Sequence, residues 1–80
     1  MPIRIGIVDE HEIVREGLKV FLETDDTFVF VGEASAPLDV LALCEHTRPD
    51  VLLFDFLTGY DCHALLHTLF DHHPTLKILL

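Results

Sequence analysis

Three carboxylate residues at the ends of two short apolar segments are the strongest candidates for chemistry in this sequence. Asp9 and Glu10 follow the segment IRIGIV, and Asp55 follows the segment VLLF. In an open parallel sheet, ligands bind at the carboxyl ends of the strands. If these two segments are neighbouring strands, the three acids gather at one rim, and their mutual repulsion favours a bound cation.

The chemistry that such a rim would support involves a metal and phosphorus. A few carboxylate oxygens suit Mg²⁺, which keeps several of its own waters when it binds a protein. A carboxylate beside Mg²⁺ is also suited to attack phosphorus, because the metal shields an incoming phosphoryl group. The same acids could instead cap helices or keep loop ends in water, and the spacing alone leaves both interpretations open.

Strand-like and helix-like segments alternate along the chain and would position these acids. The predicted strands cover residues 3–8, 28–34, 51–54 and 76–80, and the predicted helices cover residues 12–24, 37–47 and 61–73. Short connections between them indicate parallel βαβ units, with helices on both faces of one sheet. Asp61 is the predicted N-cap of the third helix.

Apolar spacing also predicts which side of each helix is buried. The predicted inward positions are Val14, Leu18, Phe21 and Leu22 in the first helix, Leu38, Leu41, Ala42 and Cys44 with Glu45 in the second, and Leu65, Leu66, Leu69 and Phe70 in the third. Cys44 is accordingly assigned to the core.

Length and composition exclude several classes of protein. A chain of 80 residues allows one domain, residues 1–80, and its 50% of hydrophobic residues excludes intrinsic disorder. We expect no membrane span and no secretory signal, since apolar runs of about 18–20 residues and a basic leader are missing. A net charge of −9 argues against direct binding to nucleic acid. Two cysteines fit a reducing, cytoplasmic location.

The sequence resembles a known family, the receiver domains of two-component response regulators. The segments that carry the resemblance are IGIVDEHEIVREGLKVFLE, VGEA and RPDVLLFD. The acidic pair followed by His11 and VREGL is most similar to receivers that precede a LuxR-type DNA-binding domain. The resemblance implies a flavodoxin-like (CheY-like) three-layer α/β sandwich with a parallel sheet in the strand order 2-1-3-4. It implies a signalling module rather than an enzyme.

The resemblance also implies roles for particular residues. Asp55 matches the aspartate that accepts a phosphoryl group from a phosphohistidine of a sensor histidine kinase. Asp9 and Glu10 match the acidic pair that holds Mg²⁺, and Leu57 would lend its backbone carbonyl to the metal. Glu10 stands where a second Asp is more usual. His11 is interpreted as a residue of the helix start.

Two departures from the family pattern support an alternative function. The family usually reads D-x-x-M-P-x-x-D-G after the phosphoacceptor, whereas this chain has no proline there and is one residue shorter. The family's switch Ser or Thr, its Lys, its fifth strand and its last two helices are also not among the 80 residues. The alternative is a degenerate or truncated receiver that acts as an interaction or dimerisation module without phosphorylation.

A sheet that stops after the fourth strand would leave that strand as an open edge. Lys77 is the only charge in residues 76–80, so little opposes pairing of this edge with another chain. We therefore expect a homodimer or larger species, with residues 76–80 in or near the contact.

The remaining candidates are weaker. His63 and His67 have the i, i+4 spacing that lets two imidazoles share a metal. A polar helix face is the simpler interpretation of this spacing. Adventitious binding of nickel or zinc ranks second, ahead of a physiological zinc site. The segment from Phe54 to Thr58 invites comparison with aspartyl phosphatases of the haloacid dehalogenase type. Leu57 occupies the position where their general acid aspartate is required.

Overall fold

The computed structural model describes residues 1–55 and 61–79. In chain order the elements are β1 (Ile3–Val8), α1 (Glu12–Glu23), β2 (Phe28–Ala34), α2 (Pro37–Thr47), β3 (Val51–Phe54), α3 (His63–His72) and β4 (Lys77–Leu79). All three strand pairings are parallel, and the strand order is β2-β1-β3-β4. The predicted fold class and strand order are confirmed. Within the described ranges, no helix is both long and apolar enough to cross a membrane.

The ends of α2 follow the usual preferences for helix termini, whereas the start of α3 differs from its prediction. Pro37 is the first residue of α2, where its fixed φ and missing N–H cost nothing. The helix stops at Arg48, which adopts a left-handed conformation with a φ of 48° and donates its N–H to the Cys44 carbonyl. The prediction that Asp61 caps α3 is wrong by one residue, because Cys62 is the N-cap. The Asp61 carboxylate nevertheless accepts the His63 N–H at 3.0 Å.

The two faces of the sheet carry separate apolar clusters. Among residues 1–55 and 61–79, eleven are buried on the α2/α3 face, which helices α2 and α3 cover: Val8, Ala34, Val40, Leu43, Cys44, Leu52, Phe54, Cys62, Leu65, Leu69 and Leu76. The α1 face, covered by helix α1, has three: Ile5, Ile7 and Leu22. The core therefore lies mainly on one side of the sheet.

The predicted inward faces of the helices are right only in part. In α1, Leu22 is buried and Leu18 half-buried, whereas Val14 and Phe21 are exposed. In α3, Leu65 and Leu69 are buried and Phe70 is 50% exposed.

In α2 the buried residues are Val40, Leu43 and Cys44, and Leu38 is 90% exposed. Because α2 is apolar on more than one side, its periodicity could not select the side that docks on the sheet. The assignment of Cys44 to the core is confirmed.

A bulge in the pairing of β1 with β2 changes which residues of β2 face α1. The partners run from Ile3 and Phe28 to Ile5 and Phe30, and then resume with Gly6 and Gly32. Skipping one residue shifts the alternation of side chains between the two faces. As a result Glu33 pairs with Ile7 and lies on the α1 face, and Ala34 pairs with Val8 on the other face.

Candidate functional site

Neighbouring strands bring Asp9 and Asp55 to one rim of the sheet. Asp9 comes directly after β1 and Asp55 directly after β3, and the last residues of these strands, Val8 and Phe54, are partners in the ladder. The Asp55 N–H donates to the Val8 carbonyl at 2.9 Å, which continues the ladder by one step. The first and third strands are therefore neighbours, as the predicted acidic rim required.

Asp9 is the buried member of this rim. It is 3% exposed, and its N–H donates to the Ala34 carbonyl of β2 at 3.1 Å. Its Oδ1 accepts the backbone N–H of His11 at 2.8 Å and lies 3.1 Å from the Nδ1 atom of the same residue. These contacts hold the carboxylate over the start of α1, whose N-cap is His11.

Asp9, His11 and Asp55 each offer one ligand atom, and these atoms all lie within 4.8 Å of one another. Asp55 and His11 are exposed, so the cluster is closed at Asp9 and open to solvent on the other side. A cavity of about 220 Å³ adjoins it, lined by Val8, Asp9, Leu18, Leu53, Phe54, Asp55 and Leu79. Two carboxylates and an imidazole form a donor set that suits a divalent cation.

The structure brings two of the four predicted site residues together. Asp9 and Asp55 meet, whereas half-buried Glu10 is not a member of the group within 4.8 Å. Leu57 lies outside the described residues. His11 was predicted to start the helix, which is confirmed, but its ring also belongs to the cluster. Its place directly after the acidic pair was the signal in the sequence that could have assigned it to the site.

A network of charges flanks the cluster on the α1 face. Arg15 donates from Nη1 to the Asp9 carbonyl at 2.8 Å and from Nε to Glu33 Oε1 at 2.6 Å. Lys19 donates to Glu33 Oε2 at 2.6 Å and pairs with Glu16 at 2.7 Å. The hydrogen bonds from Lys19 and then Arg15 lower the pKa of Glu33, and the bonds to Glu16 and Glu33 raise the pKa of Lys19. Sequence reasoning did not find this network.

The histidine-rich helix α3 does not assemble a comparable group. His67 lies 3.3 Å from Asp71 at an exposed position, and His63 is also exposed. Across residues 1–55 and 61–79, no further set of three or more His, Cys, Asp or Glu ligands comes together. In the core, burial raises the pKa of the Cys44 thiol, which favours the unreactive protonated form.

The fold and its acidic rim define a class: α/β proteins with a CheY-like parallel sheet. The family model of the response regulator receiver domain matches residues 5–80, so the chain belongs to that family.

Relatives and solved structures agree with this assignment. The chain is 43% identical over 53 residues to YhcZ of Bacillus subtilis, called an uncharacterized transcriptional regulatory protein, covering 66% of the chain and 25% of YhcZ. It is 37% identical over 57 residues to the response regulator protein VraR of Staphylococcus saprophyticus, covering 71% of the chain and 27% of VraR.

A two-component response regulator of the LuxR family from Aurantimonas sp. SI85-9A1 has a similar structure, with a TM-score of 0.85 at 28% identity. The match covers 98% of this chain and 56% of that one. The chain thus spans about a quarter of the length of the curated relatives it matches.

Proposed function

We propose that this receiver domain accepts a phosphoryl group on Asp55 from a phosphohistidine of a sensor histidine kinase. The observation that carries the proposal is the pairing of β1 with β3, which brings Asp9 and Asp55 to one rim within reach of one cation. Membership of the receiver family supports the same reaction.

Exposure selects Asp55 over Asp9 as the phosphoacceptor. Asp55 is open to solvent, whereas Asp9 is 3% exposed and already accepts a hydrogen bond from His11. A donor as large as a kinase domain can reach only the exposed carboxylate. In the proposed transfer an Asp55 oxygen bonds to phosphorus, the bond from phosphorus to the kinase histidine breaks, and the imidazole leaves.

We propose that Asp9, Glu10, Asp55 and the Leu57 carbonyl hold Mg²⁺ at this rim. The buried carboxylate of Asp9 beside the exposed one of Asp55 fits a hard cation that keeps part of its water shell. The metal would neutralise the negative charge that gathers when a phosphoryl group approaches three acids. The His11 imidazole is not among these ligands, because its Nδ1 lies within hydrogen-bond distance of Asp9 Oδ1, at 3.1 Å, and Mg²⁺ prefers oxygen ligands.

The proposed output is the control of transcription by a part of the protein outside these 80 residues. YhcZ is called a transcriptional regulatory protein, and the chain covers 25% of it. A segment with a net charge of −9 is poorly suited to contact DNA itself. We therefore assign kinase recognition and phosphoryl acceptance to this segment.

A small phosphodonor tests the proposal directly. The chain is incubated with acetyl phosphate and Mg²⁺, and intact mass spectrometry should show one added phosphoryl group. Asp55→Asn should abolish the adduct, while Asp26→Asn, at an exposed turn away from the rim, should leave it unchanged. Addition at another carboxylate would refute the assignment. A folded chain that stays unmodified would favour an interaction module.

Paramagnetic Mn²⁺ tests the metal site separately. It should broaden the NMR signals of residues 9–11 and 55 before any others, and Asp9→Asn should weaken the binding. Broadening that spares these residues would exclude the rim as a metal site.

Self-association through β4 stays a prediction. Among the described strands β4 pairs with β3 alone, and Leu79 is 59% exposed. Sedimentation equilibrium of the 80-residue chain should show a dimer or larger species, and a well-folded monomer at tens of micromolar would contradict this.

A further inference from the structure

The guanidinium of Arg15 links the backbone of Asp9 to strand β2. Its Nη1 donates to the Asp9 carbonyl at 2.8 Å, and its Nε donates to Glu33 Oε1 at 2.6 Å. The Arg15 side chain is 14% exposed and that of Glu33 is 31% exposed, so both groups are half-buried at the edge of the α1 face. A planar group held by two charge-assisted or polar bonds in different directions has little freedom to rotate.

Glu33 is itself fixed at both oxygens. Lys19 donates to Oε2 at 2.6 Å while Arg15 occupies Oε1. The Lys19 ammonium also lies 5.3 Å from the centre of the Phe30 ring, which holds it against β2. Glu33 is therefore a rigid anchor for Arg15.

The backbone N–H, the backbone carbonyl and one carboxylate oxygen of Asp9 each have a hydrogen-bond partner in this part of the fold. Its N–H donates to the Ala34 carbonyl, next to Glu33 in β2, and its carbonyl accepts from Arg15. Its Oδ1 accepts from His11. Because Arg15 fixes the peptide plane that follows Asp9, it also restricts the direction in which the carboxylate leaves the backbone.

We infer that Arg15, anchored by Glu33, is a positioning residue for the Asp9 carboxylate. The inference rests on the proposed metal site. Positioning and simple electrostatics predict opposite effects of removing Arg15. A cation beside a cation site repels the metal, so loss of its charge alone would tighten metal binding. Loss of the link to Asp9 would instead weaken it, as removal of groups that orient metal ligands typically does.

The test is the Mn²⁺ dissociation constant, measured by electron paramagnetic resonance, in wild type and four variants. Arg15→Met should weaken binding by about tenfold. Arg15→Lys should restore part of the affinity, and Glu33→Gln should weaken binding less than Arg15→Met. Arg4→Met is the matched control, because Arg4 donates to the carbonyls of Thr47 and Arg48 at the opposite end of β1. It should leave the affinity unchanged.

The carbonyl carbon shift of Asp9 provides a second readout. This NMR chemical shift should differ from its wild-type value in Arg15→Met and equal it in Arg4→Met, even where both variants lower Tm. Tighter Mn²⁺ binding by Arg15→Met would overturn the inference in favour of repulsion. An unchanged affinity with a lower Tm would overturn it in favour of a merely structural contact. If Arg15→Met does not fold, wild-type affinity in Glu33→Gln overturns it.

Failure of the underlying metal site gives a different result. In that case wild type binds no Mn²⁺, or Asp9→Asn leaves its affinity unchanged, and both the site and the inference fall. If Asp9→Asn weakens binding but Arg15→Met does not, the metal site stands and only the role of Arg15 is lost.

Discussion

The two faces of the sheet are held by different forces. On the α2/α3 face, eleven buried residues pack into one cluster that includes Phe54 and Leu69. On the α1 face three of the described residues are buried, and the exposed fractions of Ile13 and Phe21 in α1 are 83% and 67%. There the contact is completed by the ion pairs of Arg15 and Lys19 with Glu33.

This difference separates stability from the arrangement of the site. Burial of apolar surface contributes about 25 cal/mol per Å², so the α2/α3 face, with the larger buried cluster, supplies most of the hydrophobic stabilisation. Ion pairs near the surface contribute about 0–1 kcal/mol each. The network on the α1 face is therefore better explained by what it positions, namely the backbone of Asp9, than by the stability it adds.

The largest expected effect compares one leucine from each face. Leu69→Ala removes a side chain that is 0% exposed and should cost about 4 kcal/mol, since the surrounding cluster cannot close the cavity. Leu22→Ala, at 6% exposed beneath a helix that borders solvent, should cost about 2 kcal/mol. Urea denaturation measures both. Equal losses, or a larger loss for Leu22, would contradict the comparison.

A pair of glycine substitutions should change stability with opposite signs. A Cβ at Gly32 would lie 2.6 Å from Leu43 Cδ1 and 3.2 Å from Thr47 Cγ2, so the buried Leu43 side chain would have to move out of its packed position. We expect Gly32→Ala to destabilise by about 1–3 kcal/mol. A Cβ at Gly17 meets nothing within 4 Å on exposed helix α1, and Gly17→Ala should stabilise by about 0.5–1 kcal/mol. Thermal unfolding distinguishes the signs, and destabilisation by both would show α1 to be packed as tightly as α2.

The smallest effect concerns the ion pairs, and it depends on pH. The pKa of Glu33 is lowered from 4.5 in the folded state, mainly by Lys19, so folding favours the ionised carboxylate. The stabilisation that the ionised Glu33 adds to the free energy of unfolding is fully present above the pKa of the unfolded state. It is lost as the pH falls through the lower pKa of the folded state.

The Tm difference between wild type and Glu33→Gln should therefore be constant from pH 7 to about 5 and shrink at lower pH. The control is Glu23→Gln, at an exposed position of α1, whose Tm difference from wild type is measured over the same pH range. A difference that grows on acidification would give the opposite sign and exclude this linkage.

The sequence predicted the elements and the rim because both depend on local patterns. Every helix and strand was predicted to within about two residues of its observed ends, since alternating apolar segments and proline positions are local signals. Asp9 and Asp55 were predicted to meet because parallel strands direct their carboxyl ends to the same edge. The sides of α2 and α3 that pack were predicted only in part, as Leu38 and Phe70 demonstrate.

What only the tertiary structure decided depends on register and docking. The bulge between Ile5 and Gly6 is invisible in the sequence, yet it places Glu33 on the α1 face, where Arg15 and Lys19 reach it. By itself, the sequence determined an α/β chain with acids at the ends of two strands. The network around Asp9 required a one-residue slip in strand pairing, because such a slip exchanges the faces of every side chain that follows it.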